Sequence, residues 1–149
     1  MKDLMKYKEA MERAIRSEGN NIQYIDNPSK ELQLIAVRQN GWSIRYLSNP
    51  SKEVQIEAIR QEALTIAYIN SPSEELQLQA VKEKPRAIQY IKSPTERVQL
   101  EAVRRDGLAI EYINSPSKEV QLQAVKEDLT AIKYIKNPTD KVKELIKNL

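Results

Sequence analysis

The 149-residue chain contains no cysteine, no histidine and no phenylalanine. Without His and Cys, it cannot build the usual nucleophile–base pairs or the common ligand sets for zinc, haem and iron–sulfur clusters. Disulfides are excluded as well, and this suits a reducing compartment such as the cytoplasm. We therefore expect a cytoplasmic protein that is not an enzyme and that uses no cofactor and no metal.

Long hydrophobic runs are also missing, so we expect no segment that crosses a bilayer. The N-terminal stretch MKDLMKYKEAMERAIR is charged throughout and lacks the apolar core of a signal peptide. The 24 bases and 21 acids nearly cancel, with a formal net charge of +3. The length corresponds to one domain, which can bury a real core only if its apolar residues are well placed.

What the chain does have is a repeat of 22 residues. Three residue types recur in the same register, and a fixed period of this length indicates a solenoid or array. The prolines are Pro28, Pro50, Pro72, Pro94, Pro116 and Pro138, with only Pro85 outside the series. The tyrosines are Tyr24, Tyr46, Tyr68, Tyr90, Tyr112 and Tyr134, and the glutamines are Gln33, Gln55, Gln77, Gln99 and Gln121.

Each repeat predicts one longer and one shorter helix. The residue before each series proline is Asn or Ser, which suits an N-cap, and proline is well tolerated in the first helical turn. We expect a helix of about eleven residues from each proline, then a break and a second helix of one or two turns. Gly41 and Gly107 at the break suit a left-handed turn, although Pro85 in the same column cannot adopt positive φ.

The glutamine lies within the apolar side of the longer helix. On a helical wheel Gln77 falls among Leu76, Ala80, Val81 and Leu78, and an amide there needs hydrogen-bond partners. We expect each glutamine to reach the backbone of the following repeat and so form a ladder. Base reading by this column is the alternative, as in repeat proteins that contact one base per unit.

Both ends of the array are expected to be capped. In the last repeat the positions that would face a further repeat carry Lys143, Glu144 and Lys147, whereas a narrower apolar stripe remains at Val142, Leu145, Ile146 and Leu149. At the other end residues 3–17 predict a degenerate helix in which Met11 replaces the glutamine. We expect one repeat domain over residues 1–149, with caps at 1–19 and 138–149 and repeats over 20–137.

The repeat resembles the variant leucine-rich repeat, a right-handed stack of short helix pairs with an Asn-Pro turn and an Ala-Val core. The resembling stretches are Tyr46-Leu-Ser-Asn-Pro-Ser-Lys-Glu-Val-Gln-Ile-Glu-Ala-Ile-Arg60 and its counterparts over residues 20–149. It is also similar to short helical repeats that are common in bacterial and phage genomes, which the Ile-, Lys- and Asn-rich composition suits. The resemblance implies an all-α, right-handed α-solenoid of six repeats, and it implies no activity.

A basic residue closes every longer helix, and helix spacing predicts a stripe about 50 Å long. Such a stripe suits a phosphate backbone or an acidic protein surface. The alternative is a solvated face of ion pairs, because cations near a helix C-terminus are stabilised by the dipole and acids alternate with these bases. The members are Arg16, Arg38, Arg60, Lys82, Arg104 and Lys126.

Positive charge is concentrated between residues 82 and 105. Seven bases and three acids in this segment give it a charge of +4, so the fourth and fifth layers are the predicted place for an acidic partner. Besides members of the basic column, the candidates for contact are Lys84, Arg86, Arg97 and Arg105.

Two aromatic features have alternative interpretations. Trp42 is the only tryptophan, and it is either an interface anchor or a cover for its own short helix. The tyrosine column suits either stacking on nucleic-acid bases or, as we expect, rings packed in the seam between layers with their hydroxyls at the edge.

The sequence therefore gives two hypotheses for function. The first is a non-enzymatic scaffold or inhibitor that binds another protein along one face and acts by occupancy. The second is a nucleic-acid-binding repeat protein that uses the basic stripe. No small-molecule substrate and no membrane partner are expected.

Overall fold

The computed structural model describes residues 2–147, and within this range every regular element is helical. The seven α-helices are α1 (Lys2–Ser17), α2 (Lys30–Gln39), α3 (Lys52–Gln61), α4 (Glu74–Glu83), α5 (Glu96–Arg105), α6 (Lys118–Glu127) and α7 (Asp140–Lys147). Six 3-10 helices alternate with them: η1 (Gly19–Tyr24), η2 (Gly41–Tyr46), η3 (Ala63–Tyr68), η4 (Pro85–Tyr90), η5 (Gly107–Tyr112) and η6 (Leu129–Tyr134).

The chain forms two compact units, residues 1–71 and residues 72–149. In the first unit α1, α2 and α3 pack side by side in chain order, and η1, η2 and η3 form a second row. In the second unit α4 to α7 form one row and η4 to η6 the other. This confirms the predicted all-α repeat fold; the right-handed sense stays a prediction.

Each of α2 to α6 begins two residues after the proline, and the predicted N-cap is wrong. The cap is the Ser or Thr that follows the proline: the Ser29 hydroxyl accepts a hydrogen bond from the Leu32 amide at 3.3 Å, and Ser73, Thr95 and Ser117 do the same in their repeats. The residue before the proline instead adopts the left-handed region in four repeats, with φ between 48° and 54°. Asn tolerates this region because its short polar side chain can bond locally.

The shorter helix is a single 3-10 element of six residues in every repeat. A side chain at its N-cap often accepts from the amide two residues on, as Asp106 does from Leu108 at 3.0 Å. Each 3-10 helix is too short to be stable alone, so its packing against the α-helices holds it in place.

The glycines at the break do not form the left-handed turn that we expected, since no glycine has positive φ in the described residues. They are required by a close approach instead. A Cβ added at Gly107 would lie 2.5 Å from the carbonyl oxygen of Ala124 in the next α-helix, and one at Gly41 would lie 3.0 Å from that of Ala58. The first position of a 3-10 helix therefore favours a small residue where its backbone packs closely against the following α-helix.

The core repeats with the sequence. In the repeat of α4 and η4, Leu76, Ala80, Val81 and Ile88 are each at most 2% exposed. Between these apolar positions and the surface lies the glutamine, which is half-buried in four repeats and 8% exposed at Gln121.

The glutamine ladder was predicted with the wrong partner. Each glutamine donates its Nε2 hydrogen to the proline carbonyl of its own repeat; for Gln77 and Pro72 O the distance is 2.9 Å. This carbonyl lacks its helical partner because the Ser73 hydroxyl takes the amide hydrogen of Leu76. A bond to the following repeat is present at Gln121, whose Oε1 accepts from the Thr139 amide at 3.2 Å.

The capping helices have the predicted orientation. Lys143, Glu144 and Lys147 are exposed on α7 while Val142 is buried, so the polar side points away from α6. At the other end Met11 and Ile15 of α1 pack into the cluster that contains Leu32 and Ala36. Leu149, assigned to the apolar stripe of the last helix, lies outside the described residues.

Candidate protein-binding groove

The basic column lies in the last turn of each α-helix from α1 to α6, and all six side chains are exposed. Arg16, Arg38 and Arg60 belong to the first unit, and Lys82, Arg104 and Lys126 belong to the second. The helical C-terminus places each cation beside unpaired backbone carbonyls, which stabilises it. Position alone therefore does not distinguish a binding stripe from a solvated face.

In the first unit the column is partly neutralised by acids of the same helix or of the next one. Arg60 Nη1 lies 3.5 Å from the Glu57 carboxylate, and both residues are on α3. The charge of Arg38 also helps to lower the pKa of Glu53, although the main cause is a hydrogen bond from Lys30. These contacts are typical of the ion-pair face that was the alternative interpretation.

The second unit has a groove between α4 and α5 with a volume of about 290 Å³. Half-buried Leu78 and Leu100 supply its apolar surface, and the exposed bases Lys82, Arg97 and Arg104 line it together with Glu96 and Glu101. The repeat produces this arrangement because each leucine precedes the closing base by four residues, so the two lie on one face of the helix.

Two of the charges that line the groove are already engaged. The Glu101 carboxylate accepts a hydrogen bond from Arg105 Nε at 2.7 Å, and this bond holds the pKa of Glu101 below its ordinary value. Arg97 Nη1 lies 3.5 Å from Glu74 Oε2. Among the residues that the structure describes, Lys82 and Arg104 take part in no ion pair. The charge of each also helps to lower the pKa of Glu101, but neither base is held in a close contact, so these are the two that an incoming anion can pair with.

The remaining basic candidates lie elsewhere in the second unit. Arg105 points its Nη1 to the Lys82 carbonyl at 3.1 Å, so it ties α5 to α4. Arg86 is on η4 with its Nε 3.9 Å from Asp106 Oδ2, and Lys84 is the exposed residue between α4 and η4. Of the seven predicted bases in the second unit, the structure brings three to the groove and places the other four, Lys126 included, outside its lining.

Trp42 has a packing role in the first unit. Its half-buried indole lies 6.0 Å from the Tyr68 ring, centroid to centroid, in an edge-to-face arrangement with an interplanar angle of 84°. Such pairs are favourable beyond the area they bury. The contact supports the interpretation of Trp42 as a cover over its own and the neighbouring short helix.

The tyrosine rings are not packed in a buried seam, contrary to our expectation. Five of the six are between 37% and 79% exposed. Tyr46 has the Arg45 guanidinium 4.8 Å from its ring centroid. The rings lie on the surface because the Ile or Leu that follows each Tyr takes the inner position. That alternation was visible in the sequence.

No group of three or more acidic side chains suited to a metal ion occurs among the described residues. Over the same range, none of the helices combines the length and apolar character that a membrane crossing requires.

These features define the protein as an all-α repeat protein whose second unit has a groove lined by two leucines and three bases, together with two acids. No family model matches the chain, and neither the curated proteins nor the solved structures contain a match to it. The likeness to variant leucine-rich repeats remains a prediction from the sequence.

Proposed function

We propose that the protein is a non-enzymatic binding protein that holds an acidic segment of another protein in the groove between α4 and α5. It would act in the cytoplasm by occupancy, either as a scaffold or as an inhibitor. The observation that carries the proposal is the pair of unpaired bases, Lys82 and Arg104, beside half-buried leucines.

The chemistry of the groove supports a peptide-like partner. Leu78 and Leu100 offer apolar contact, while the two bases and the partly neutralised Arg97 attract carboxylates. Long-range attraction of this kind speeds association and selects the sign of the partner. Interfaces that combine an apolar centre with a charged rim are typical of protein–protein contacts.

The test is affinity purification from the source cell with three baits. The first is the wild-type chain and the second carries Lys82→Glu with Arg104→Glu. The third carries Arg38→Glu with Arg60→Glu, which makes the same charge change at equivalent exposed positions of the first unit. We expect a stoichiometric protein with the first and third baits and its loss with the second. Recovery of no stoichiometric protein, or equal recovery with all three, would contradict the proposal.

Nucleic-acid binding is a second candidate because the tyrosine rings are exposed, as a stacking platform requires. Phosphate binding releases counterions and weakens steeply as salt rises. Retardation of single-stranded DNA or RNA at low salt, lost at physiological salt and reduced by Tyr90→Ala, would favour this candidate. The absence of any retardation at low salt would exclude it.

A further inference from the structure

Ion pairs join successive α-helices at one fixed register, which from α2 onward lies in the first turn of the helix. Lys8 Nζ lies 3.1 Å from Glu31 Oε2, and Lys30 pairs with Glu53 in the next step of the first unit. In the second unit Glu74 pairs with Arg97. Here the acid is on the earlier helix and the base on the later one, the reverse of the first unit, but the sequence spacing is the same. Each pair joins two residues that are 23 apart in the sequence, and we call this series the charge ladder.

The charge ladder fails at its last two steps. The same register places Glu96 of α5 beside Glu119 of α6, and Lys118 of α6 beside Lys141 of α7. Lys118 and Lys141 do line one cavity of about 580 Å³ between α6 and α7. All four side chains are exposed, and none has an ion-pair partner in the described part of the chain. Like charges on neighbouring helices repel each other, which lowers the stability of the folded chain unless something neutralises them.

We propose that a second copy of the chain docks on this face of α5, α6 and α7, which we call the ladder-break face. The face carries Glu96 and Glu119 beside Lys118 and Lys141, one repeat apart, and these four charges are complementary to themselves when the order of the helices is reversed. Asp140, which lines the same cavity, already has a partner in Lys143 at 3.5 Å. A two-fold interface requires this property, because the same patch is used on both copies.

The positions of the charges select the direction of the two-fold axis. An axis parallel to α6 reverses the order of the helices, so Glu96 faces Lys141 of the second copy and Glu119 faces Lys118 of the second copy. By symmetry this gives four ion pairs. A two-fold axis perpendicular to the helices, along the row that they form, would keep the order of the helices. Each charge would then face the same residue of the second copy, and like charges would repel. The dimer therefore has α6 parallel to α6 of the second copy.

The centre of the ladder-break face is apolar. Leu122 lies on α6 next to Lys118 and Glu119 in helical register, is half-buried, and lines the same cavity as Lys141. Under the two-fold axis it contacts Leu122 of the second copy. Lys126, one turn further on, would also face its own copy, so the two α6 helices must diverge toward their C-terminal ends.

Self-association of this kind is weak and depends on salt. Exposed ion pairs each contribute little and are screened within about 8 Å at physiological ionic strength. The dimer should thus form at high protein concentration and low salt and dissociate as salt is raised. The dimer does not use the groove bases Lys82 and Arg104, although Glu96 belongs both to the groove lining and to the ladder-break face. Lys118 lies outside the groove, so a change there tests the dimer without altering the proposed binding site.

Sedimentation equilibrium of the whole chain at low and high salt tests the proposal. Lys118→Glu should weaken the dimer by about tenfold or more, since by symmetry it turns two attractive contacts into repulsive ones. The same change supplies the missing opposite charge beside Lys141, so a loss of folding cannot explain the result. Lys92→Glu is the matched control with the same charge change at an exposed position outside the ladder-break face, and it should dimerise like the wild type.

A charge-exchange experiment tests the pairing itself. One variant carries Glu96→Lys with Glu119→Lys, and the other carries Lys118→Glu with Lys141→Glu. Each should be monomeric alone, because its four charges have one sign, and an equimolar mixture should form a heterodimer. A wild-type chain that stays monomeric at low salt, a Lys118→Glu variant that still dimerises, or variants that do not combine would each overturn the proposal.

Discussion

Gln77 joins the middle of α4 to the turn that precedes it. Its Nε2 donates to the Pro72 carbonyl at 2.9 Å, and the equivalent bond occurs in the other four repeats that carry the glutamine. The carbonyl needs this side chain because the cap at Ser73 has taken the amide that would otherwise bond it. The glutamine therefore completes a turn that the proline and the cap leave unsatisfied.

Gln77→Leu should lower the free energy of unfolding by about 1 kcal/mol, since the half-buried Pro72 carbonyl would lose its partner. Urea denaturation measures the change. Gln79→Leu on the same helix, where the side chain is half-buried and makes no such bond, is the control and should have a smaller effect. A rise in the melting temperature of Gln77→Leu would show that the turn does not need the amide.

Gly107, like Gly19, lies very close to the backbone of the following long helix. A Cβ at Gly107 would meet the Ala124 carbonyl of α6 at 2.5 Å and the Cβ of Asp128, the C-cap of α6, at 3.0 Å. Gly41 has more room, with its nearest contacts at 3.0 Å. The difference gives a graded experiment within one chain.

Gly107→Ala should destabilise the second unit by about 1–3 kcal/mol, the usual cost of overpacking. Gly41→Ala should cost clearly less, because the neighbouring atoms need to move by only a few tenths of an ångström. Chemical denaturation of the two variants, followed by circular dichroism, measures both. Equal costs would mean that the close approach at Ala124 relaxes freely.

Four of the six short helices, η2, η3, η5 and η6, have a side-chain cap at their N-terminus. In η6 the Asp128 carboxylate accepts from the Thr130 hydroxyl at 2.7 Å and from the Thr130 amide at 2.8 Å. These two bonds favour the charged form and lower the pKa of Asp128 below its ordinary value. The cap is therefore tied to the ionisation of one half-buried side chain.

The contribution of Asp128 to stability should be lost in acid. Since its pKa is lower in the folded chain, the unfolded chain binds more protons there, and stability falls as pH decreases from the ordinary carboxyl range through the lowered pKa. Thermal unfolding measured from about pH 7 to about pH 2 checks this. Asp128→Asn keeps a capping oxygen, as Asn40 does in η2 at 3.1 Å, and should show a shallower acid slope.

That slope should not vanish in Asp128→Asn. Glu53 and Glu101 also have lowered pKa values, caused first by hydrogen bonds from Lys30 and Arg105. An unchanged slope in Asp128→Asn would show that the cap does not titrate with the fold.

The helices were predictable where the sequence pattern that defines them recurs in every repeat. The 22-residue period located every α-helix, because apolar spacing is a property of the whole repeat. The start of each helix was misplaced by two residues, since Ser-Pro-Ser offers two capping residues and only φ at the first one, 50° at Ser71, tells them apart. The 3-10 form of the short helix depends on packing, which local sequence does not encode.

The candidate groove was predicted less well than the fold. Charge counting located the segment from Lys82 to Arg105, but it treated all its bases alike. Whether a base is available depends on the carboxylates that neighbouring segments offer. Arg97 pairs with Glu74 and Arg86 pairs with Asp106, whereas Arg104 has no ion-pair partner among the described residues. Such partners are set by the stacking register, and the charge ladder shows that comparing residues 23 apart would have found several of them.

Stability in a repeat chain is distributed between neighbours, and the ends are special. Within each unit a repeat contacts the repeats beside it, so removing an internal repeat restores the same kind of interface. Removing α7 is different. Val142 is fully buried against α6, and the exposed Lys143, Glu144 and Lys147 form the polar side of the cap. Without α7, the partners of Val142 on α6 would face water.

Deleting residues 138–149 should therefore lower the melting temperature and cause association at low and high salt alike, because exposed apolar surface is not screened by ions. Deleting residues 95–116, one full period, should leave a cooperative, less stable protein that does not aggregate. Circular dichroism melting and light scattering at two salt concentrations compare the variants. If the deletion of α7 costs no more than that of a whole repeat and remains soluble, the last helix is not a cap, and its polar face has another purpose.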